Sequence, residues 1–272
     1  MKILKNYTLI YDDQCPLCQT YTKVFVATGI LDKTGRQAFQ EISNETCILI
    51  DKKRACNEIA LINNDTGEVI YGIDSILKIL TAIFPFLKNV FFSRPVYWFL
   101  KKLYAFISFN RKVIIPSKKV IDTCTPDFNY KYRIVYLFFT WVISAFILTN
   151  YIKTLHPLNQ NTSFEKELIL IGVQMLFQSI VLHKLTKEKI VKYLGNMMTI
   201  SFAGAIILSI ISKLGVLFII KDLNFYLIVY ITIVFLMFYE HIRRVKLLEI
   251  SSLSNFTWLT YQAIHLLIIV II

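Results

Sequence analysis

The sequence predicts a mixed α/β domain followed by an all-α membrane bundle. Three observations carry that prediction. Strand and helix signals alternate as far as residue 84, a Cys-Pro-Leu-Cys dithiol stands at the first strand-to-helix junction, and long apolar runs begin after residue 133. Hydrophobic residues make up 56% of the 272 and mean hydropathy is +0.56, against about 45–50% apolar in an ordinary soluble domain. Residues 1–133 carry 19 Lys/Arg and 12 Asp/Glu, residues 134–272 only 11 and 6. The net charge of +12 does not point to nucleic acid. The basic residues border apolar spans, where anionic headgroups and membrane orientation select them.

Taken in order, Tyr7–Tyr11 reads as a short strand. Pro16 to about Gly29 carries Leu17, Tyr21, Val24, Phe25 and Thr28 at helical spacing. Gln37–Ile42 is a second strand with Phe39 and Ile42 inward, and Asn44 caps a helix through Cys47 to about Lys53. Glu58–Asn63 and Glu68–Tyr71 are strands joined by the turn Asn64-Asp65-Thr66-Gly67. Asp74–Phe84 is an amphipathic helix, apolar at Ile76, Leu77, Ile79, Leu80 and Ile83. The order is βαβ, a helix, a ββ hairpin and a helix. That is the thioredoxin order, with the dithiol where that order expects it. The fold class is therefore an α/β thioredoxin-like N-terminal domain, residues 1–115, followed by an all-α transmembrane helical bundle, residues 134–272.

Residues 85–115 form an aromatic and basic connector. Pro95 opens a helix through Tyr97, Trp98 and Phe99 to Phe109, with Lys101 and Lys102 in its middle. Two readings stand: a helix packed on the soluble domain, or an interfacial helix lying along the bilayer, where Trp, Tyr and Lys are favoured. Spans are expected near Ile134–Ile152, Leu168–Leu182, Leu194–Ser212, Leu223–Tyr239 and Thr257–Ile272. The second and fifth are short, so the bundle has four to five helices. Residues 111–133, 183–193 and 240–256 hold six, four and three Lys/Arg, whereas 153–167 and 213–222 hold two each. That asymmetry predicts a multi-pass protein with its N-terminal domain in the cytoplasm. No cleavable signal sequence is expected, because only Thr8–Tyr11 is apolar before two aspartates.

The chemistry sits in residues 12–18, Asp-Asp-Gln-Cys-Pro-Leu-Cys. A thiol at a helix start meets free backbone N–H groups and the positive end of the helix dipole, which favour the thiolate. Pro16 suits the first turn, where its missing N–H has no intrahelical partner. Cys15, nearer the helix start and more exposed, is the expected nucleophile. Cys18, one turn in, resolves the mixed disulfide. Asp12 accepts or relays the proton of Cys18, or caps the helix. No dissociable cofactor is needed, and the partners are protein or small-molecule thiols and disulfides together with the lipid bilayer. The competing reading is a four-thiolate metal site of Cys15, Cys18, Cys47 and Cys56. Haem attachment is not expected, because Gln19, not histidine, follows Cys18.

The strand-Asp-x-x-Cys-x-x-Cys start resembles the DCC family of predicted thiol–disulfide oxidoreductases. Asp12, Cys15 and Cys18 match, as do Tyr71-Gly72-Ile73-Asp74 and the segment from Tyr104 to Asn110-Arg111. The resemblance covers roughly residues 5–115, and it implies a thioredoxin-like fold and dithiol exchange. Two departures stand out. Asp13 occupies a position where the family usually has glycine, and an added carboxylate raises a neighbouring thiol pKa. Residues 54–58 lack the proline that faces the dithiol in thioredoxins.

In the apolar half no predicted span holds a cysteine, so a dithiol relay across the bilayer is not expected. Gln174 and Gln178 share one helix face, as do Gln262 and His265. They read as interhelical hydrogen-bonding groups, the sharper alternative being a small polar pocket for a quinone or lipid. His183 and His241 read as interfacial. The chain as a whole therefore reads as a membrane-anchored thiol–disulfide oxidoreductase. The alternatives are a non-enzymatic docking or metal-binding module on a membrane anchor, or a transporter with a redox-sensing domain.

Overall fold

The computed structural model describes residues 4–42, 49–116, 127–155, 162–220 and 222–271. The chain divides into two compact units, Met1–Tyr132 and Arg133–Ile272.

The first unit is built on a four-stranded mixed sheet. Its strands are β1 (Tyr7–Tyr11), β2 (Arg36–Ala38), β3 (Ala60–Asn63) and β4 (Val69–Tyr71), in the spatial order β2-β1-β3-β4. β1 pairs parallel with β2 and antiparallel with β3, and β3 pairs antiparallel with β4. The parallel pair needs a crossover, which α1 (Pro16–Ala27) supplies. The antiparallel pair β3–β4 needs only a turn, in which Gly67 takes φ +72°. This is the thioredoxin-like arrangement that the element order predicts.

Alternation along the central strands explains why they read as continuously apolar. Leu9 and Leu61 face one core with Leu31, Ile59 and Ile79. Ile10, Ala60 and Ile62 face the other, with Ile50 and Ala55, and Phe39 and Ile42 pack there as the sequence predicts. The second strand is shorter than expected, because residues 39–41 turn into a 3₁₀ segment. The helix expected from Asn44 falls partly on residues 43–48, outside the described residues. The described helix there is α2 (Lys52–Asn57), capped by Asp51, whose carboxylate accepts from Arg54 N. α1 is also phased differently from its apolar pattern. Cys18 and Thr22 are its buried residues, with Tyr21 and Phe25 packed beside them, while Val24 turns outward.

Three further helices complete the unit: α3 (Ile73–Ile83), the short α4 (Lys88–Phe91) and α5 (Arg94–Ile114). α5 is the connector helix, and it packs on the domain through a line of polar side chains. Tyr97 Oη donates to Asp74 Oδ1 at 2.9 Å, and Tyr104 Oη accepts from Ile59 N at 3.1 Å. Ser108 Oγ donates to Asn57 O at 2.6 Å, and Arg111 Nη2 donates to Cys56 O at 2.8 Å. At roughly 100° per residue these four positions fall within an arc of about 60°. The Tyr71-Gly72-Ile73-Asp74 segment receives the start of this helix. Gly72 takes φ +62° and ψ −133°, and a Cβ there would meet Glu58 Oε2 at 2.6 Å and Tyr104 Cε1 at 3.3 Å.

The second unit holds α6 (Tyr130–Ile152, beginning in the first unit), α7 (Phe164–Val181), α8 (Lys187–Leu217), α9 (Leu223–Leu247) and α10 (Leu253–Ile271). Three of these, α6, α8 and α9, are long and apolar enough to cross a membrane. α7 and α10, the two that read as short, have 18 and 19 residues. α8 overruns its predicted ends. Its 31 residues reach about 46 Å, beyond the roughly 30 Å of hydrocarbon, and its first turn is charged and capped by Thr186.

Gly72→Ala should destabilise the first unit by roughly 1–3 kcal/mol, because the backbone conformation at this position is accessible essentially to glycine alone. The check is thermal unfolding of the full chain in detergent, with faster alkylation of Cys15 and Cys18 as Tyr104 is displaced. An unchanged midpoint and rate would contradict this account of Gly72.

Candidate active site

β1 ends at Tyr11 and the chain turns at once. Asp12 Oδ1 accepts from Gln14 N at 2.9 Å, and Cys15 N donates to Asp12 O at 3.2 Å. Cys15 is the N-cap of α1, with φ −101° and ψ 105°. Its Sγ accepts from Cys18 N at 3.3 Å, doing the work of a capping hydroxyl or carboxylate. Pro16 follows in the first turn. The nucleophile position is thus fixed by the backbone requirement of a helix start. Asp12 is not the helix cap.

Both thiols are free and buried, Cys15 at 4% and Cys18 at 3% exposure. Cys15 is the more exposed of the two only marginally, because the capping geometry turns its sulfur back over the first turn instead of outward.

Two elements distant in sequence complete the site. Arg111, at the end of α5, donates from Nη2 to Asp12 Oδ2 at 3.0 Å, and both side chains are almost fully buried. Tyr21 of α1 and Tyr104 of α5 interact electrostatically with Cys18. Arg111 also belongs to this cluster, since both sulfurs and Asp12 favour its charge and hold its pKa up against burial. Both oxygens of Asp12 therefore carry hydrogen bonds, from Gln14 N and from Arg111.

The electrostatics separate the two sulfurs. The Cys15 pKa is lowered from 9.0 to about 7. The hydrogen bond from the Cys18 thiol is the largest cause. Burial opposes it, the Cys18 backbone N–H and Arg111 lower it further, and Asp12 raises it. The Cys18 pKa is raised, first by its bond to Cys15 and then by burial. Burial is also the main reason the Tyr21 and Tyr104 hydroxyls are raised. Asp13, expected from sequence to work against Cys15, instead accepts from Gln14 Nε2 at 2.9 Å, and the carboxylate acting on Cys15 is that of Asp12.

Among the described residues no group of three or more His, Cys, Asp or Glu is placed to hold a metal ion. Of the four cysteines in the metal alternative, Cys56 is disulfide-bonded and Cys47 lies outside the described residues. Arg111, Tyr21 and Tyr104 are the site residues that sequence reasoning did not assign. Arg111 and Tyr104 stood in motif segments without a role, and Tyr21 read only as an apolar helix position.

Among the described residues of the second unit, Gln178 and His241 share one buried hydrogen-bond network and His265 belongs to another. Gln178 Oε1 accepts from Tyr193 Oη and from Thr257 Oγ1, each at 3.2 Å. Tyr193 Oη lies 3.0 Å from His241 Nε2, and His241 Nδ1 lies 3.1 Å from Asn255 Oδ1. His241 is therefore a buried interhelical residue, not the interfacial one expected. His183 is exposed. In the other network His265 lies 3.0 Å from Glu167 Oε2 and 3.2 Å from Tyr230 Oη. A cavity of about 50 Å³ beside it is lined from all five helices, including Ser144, Gln174, Ser201, Tyr230, Gln262 and His265. An apolar cavity that takes benzene is about 150 Å³. The space suits a few water molecules, and a quinone ring does not fit it.

The fold and this site define a class: a thioredoxin-like domain with a helix-capping dithiol, followed by helices apolar enough to cross a membrane. Residues 9–115 match the family model of the DCC1-like thiol-disulfide oxidoreductases. The match takes in the end of β1, the dithiol and the whole of α5. No curated protein and no solved structure matches the chain.

The pH dependence of Cys15 alkylation should rise tenfold per unit below about 7 and flatten above it, because only the thiolate reacts. Cys18→Ala should move the midpoint up furthest, since it deletes the largest lowering interaction. Arg111→Gln should move it up less, and Asp12→Asn should move it down. Iodoacetamide labelling with peptide mass analysis measures all four profiles, and a midpoint near 9 in the unmodified chain would overturn the assignment.

Proposed function

We propose that the chain is a membrane-anchored thiol–disulfide oxidoreductase whose Cys15–Cys18 dithiol exchanges electrons with thiols and disulfides of proteins or small molecules. The observation that carries this reading is geometric: two free thiols stand at the start of α1, with Cys15 Sγ capping the helix by accepting from Cys18 N at 3.3 Å, a setting that lowers the Cys15 pKa and raises that of Cys18. The Cys15 thiolate attacks one sulfur of a substrate disulfide. A Cys15–substrate disulfide forms and the other substrate sulfur leaves as a thiolate. Cys18 then loses its proton and attacks Cys15 Sγ. The Cys15–Cys18 disulfide forms and the second substrate thiolate leaves. Two electrons pass to the substrate, two protons end on its sulfurs, and the reverse sequence oxidises a dithiol. Nothing in these steps calls for a dissociable cofactor.

Asp12 serves this chemistry by position. Its carboxylate is engaged by Gln14 N and Arg111, so it works as the anchor that holds Arg111 near both sulfurs more than as a free base. Proton transfer from Cys18 is left to the departing thiolate or to water.

The N-terminal domain faces the cytoplasm in this proposal, on the strength of the Lys/Arg asymmetry between alternate loops. Membrane-impermeant maleimide on intact cells tests this placement: labelling of the reduced dithiol only after permeabilisation supports it, and ready labelling of intact cells overturns it.

Cys18→Ser should accumulate a covalent, dithiothreitol-sensitive adduct at Cys15 when membranes carrying the chain are challenged with a disulfide. Cys15→Ser should accumulate none. In the unmodified chain a glutathione redox titration should show a two-electron couple for the pair. Absence of both the adduct and the couple, or a metal ion bound to both sulfurs in the purified protein, would overturn the reading in favour of a docking or metal-binding module.

A further inference from the structure

The polar face of α5 is consumed by the domain, and its other face is left outside. Phe86, Trp98 and Phe99 expose 75%, 63% and 58% of their surface, and Val90, Phe92 and Leu103 are also exposed. On the helical wheel Phe99 and Leu103 lie away from the arc of Tyr97, Tyr104, Ser108 and Arg111, with Lys101 and Lys102 on the Trp98 side. The charge pattern is one-sided. From residue 75 to residue 121 there are nine Lys/Arg and no Asp or Glu, and only Arg111 among the described ones is turned into the core.

We propose that this face, formed by α4, the turn before it and the outward side of α5, docks on the surface of an anionic phospholipid bilayer. Exposed aromatic and aliphatic side chains bordered by lysines are the composition of an interfacial helix. The rings enter the headgroup boundary and the ammonium groups meet lipid phosphates. An apolar patch of this extent on a soluble surface is a liability unless something covers it. A second copy of the same face would bring like charges together, whereas an anionic surface complements them. The same chain supplies the membrane through α6, α8 and α9. Docking here holds the dithiol domain by a second attachment besides its tether to the apolar helices. The inference is independent of the redox reading, since it uses none of the sulfur chemistry.

The test uses the full chain reconstituted into vesicles containing a photo-crosslinking phosphatidylglycerol, with adducts mapped by peptide mass spectrometry. Adducts are expected on peptides covering residues 84–107, in addition to those on α6, α8 and α9, which act as an internal standard. Lys101→Glu with Lys102→Glu should reduce the 84–107 adducts at least about tenfold, on the basis of about fivefold per lysine near an anionic surface. The span adducts should not change. Salt raised to about 1 M should have a similar effect, because it shortens the screening length to about 3 Å. Trp98→Ser with Phe99→Ser, at two exposed positions, should lower the same adducts without altering the Cys15 alkylation profile. The proposal is overturned if adducts are confined to the spans. Equal yield at 84–107 from phosphatidylcholine vesicles or from the charge-reversed variant overturns it too, as does capture of these residues by a protein in native membranes in place of lipid.

Discussion

The buried pair of Arg111 and Asp12 is the constraint on which the first unit's chemistry rests. A guanidinium almost fully removed from water is costly, and it is tolerated only where its donors find strong acceptors. Here Nη2 has two, the Asp12 carboxylate and the Cys56 carbonyl. The pair joins the end of α5 to the turn after β1, positions 99 residues apart. Such a pair adds little net stability against an apolar replacement, yet loss of one partner alone leaves a buried charge uncompensated. Its two charges oppose one another at Cys15, Arg111 lowering that pKa and Asp12 raising it, and both rank below the Cys18 hydrogen bonds. The thiolate character of Cys15 is therefore local, set by the Cys18 thiol and N–H. The ion pair supplies the geometry in which those donors are aimed.

Much of this fold was legible in the sequence. β1, α1, α3 and the hairpin follow from period-2 and period-3.6 patterns punctuated by Pro16 and Gly67, and the dithiol sits where a strand meets a helix. What pattern could not supply was the destination of α5. Its outward residues are large and apolar, so they dominate any hydropathy reading, and the inward line is polar. The spacing 97, 104, 108, 111 is present in the sequence. Its partners, the backbone groups of Ile59, Asn57 and Cys56 and the carboxylate of Asp74, are not visible until the sheet is folded. The same reason hid the role of Arg111: a cation near the end of a Lys-rich helix reads as a membrane-proximal charge.

His241 shows the complementary error. Its neighbours Glu240 and Arg243 suggested an interface, yet the buried positions of α9 run Tyr226, Tyr230, Ile233, His241, Arg244 and Val245. That is one helical face, on which His241 falls with the core and Arg243 does not. Periodicity outweighs the charge of adjacent residues, because i and i+1 on a helix point in different directions. In the same unit, magnitude separates the two readings of the polar residues. Gln178 Oε1 accepts from Tyr193 and Thr257 across helices, and the cavity beside His265 is too small for a ring.

The two faces of α5 belong to one rigid body of 21 residues, about 32 Å long. Tyr104 and Arg111 touch the surroundings of the sulfurs, while Trp98, Phe99 and Leu103 look outward. The inward and outward lines of side chains point in different directions, so a substitution among Trp98, Phe99 and Leu103 leaves the hydrogen bonds of Tyr97, Tyr104, Ser108 and Arg111 in place.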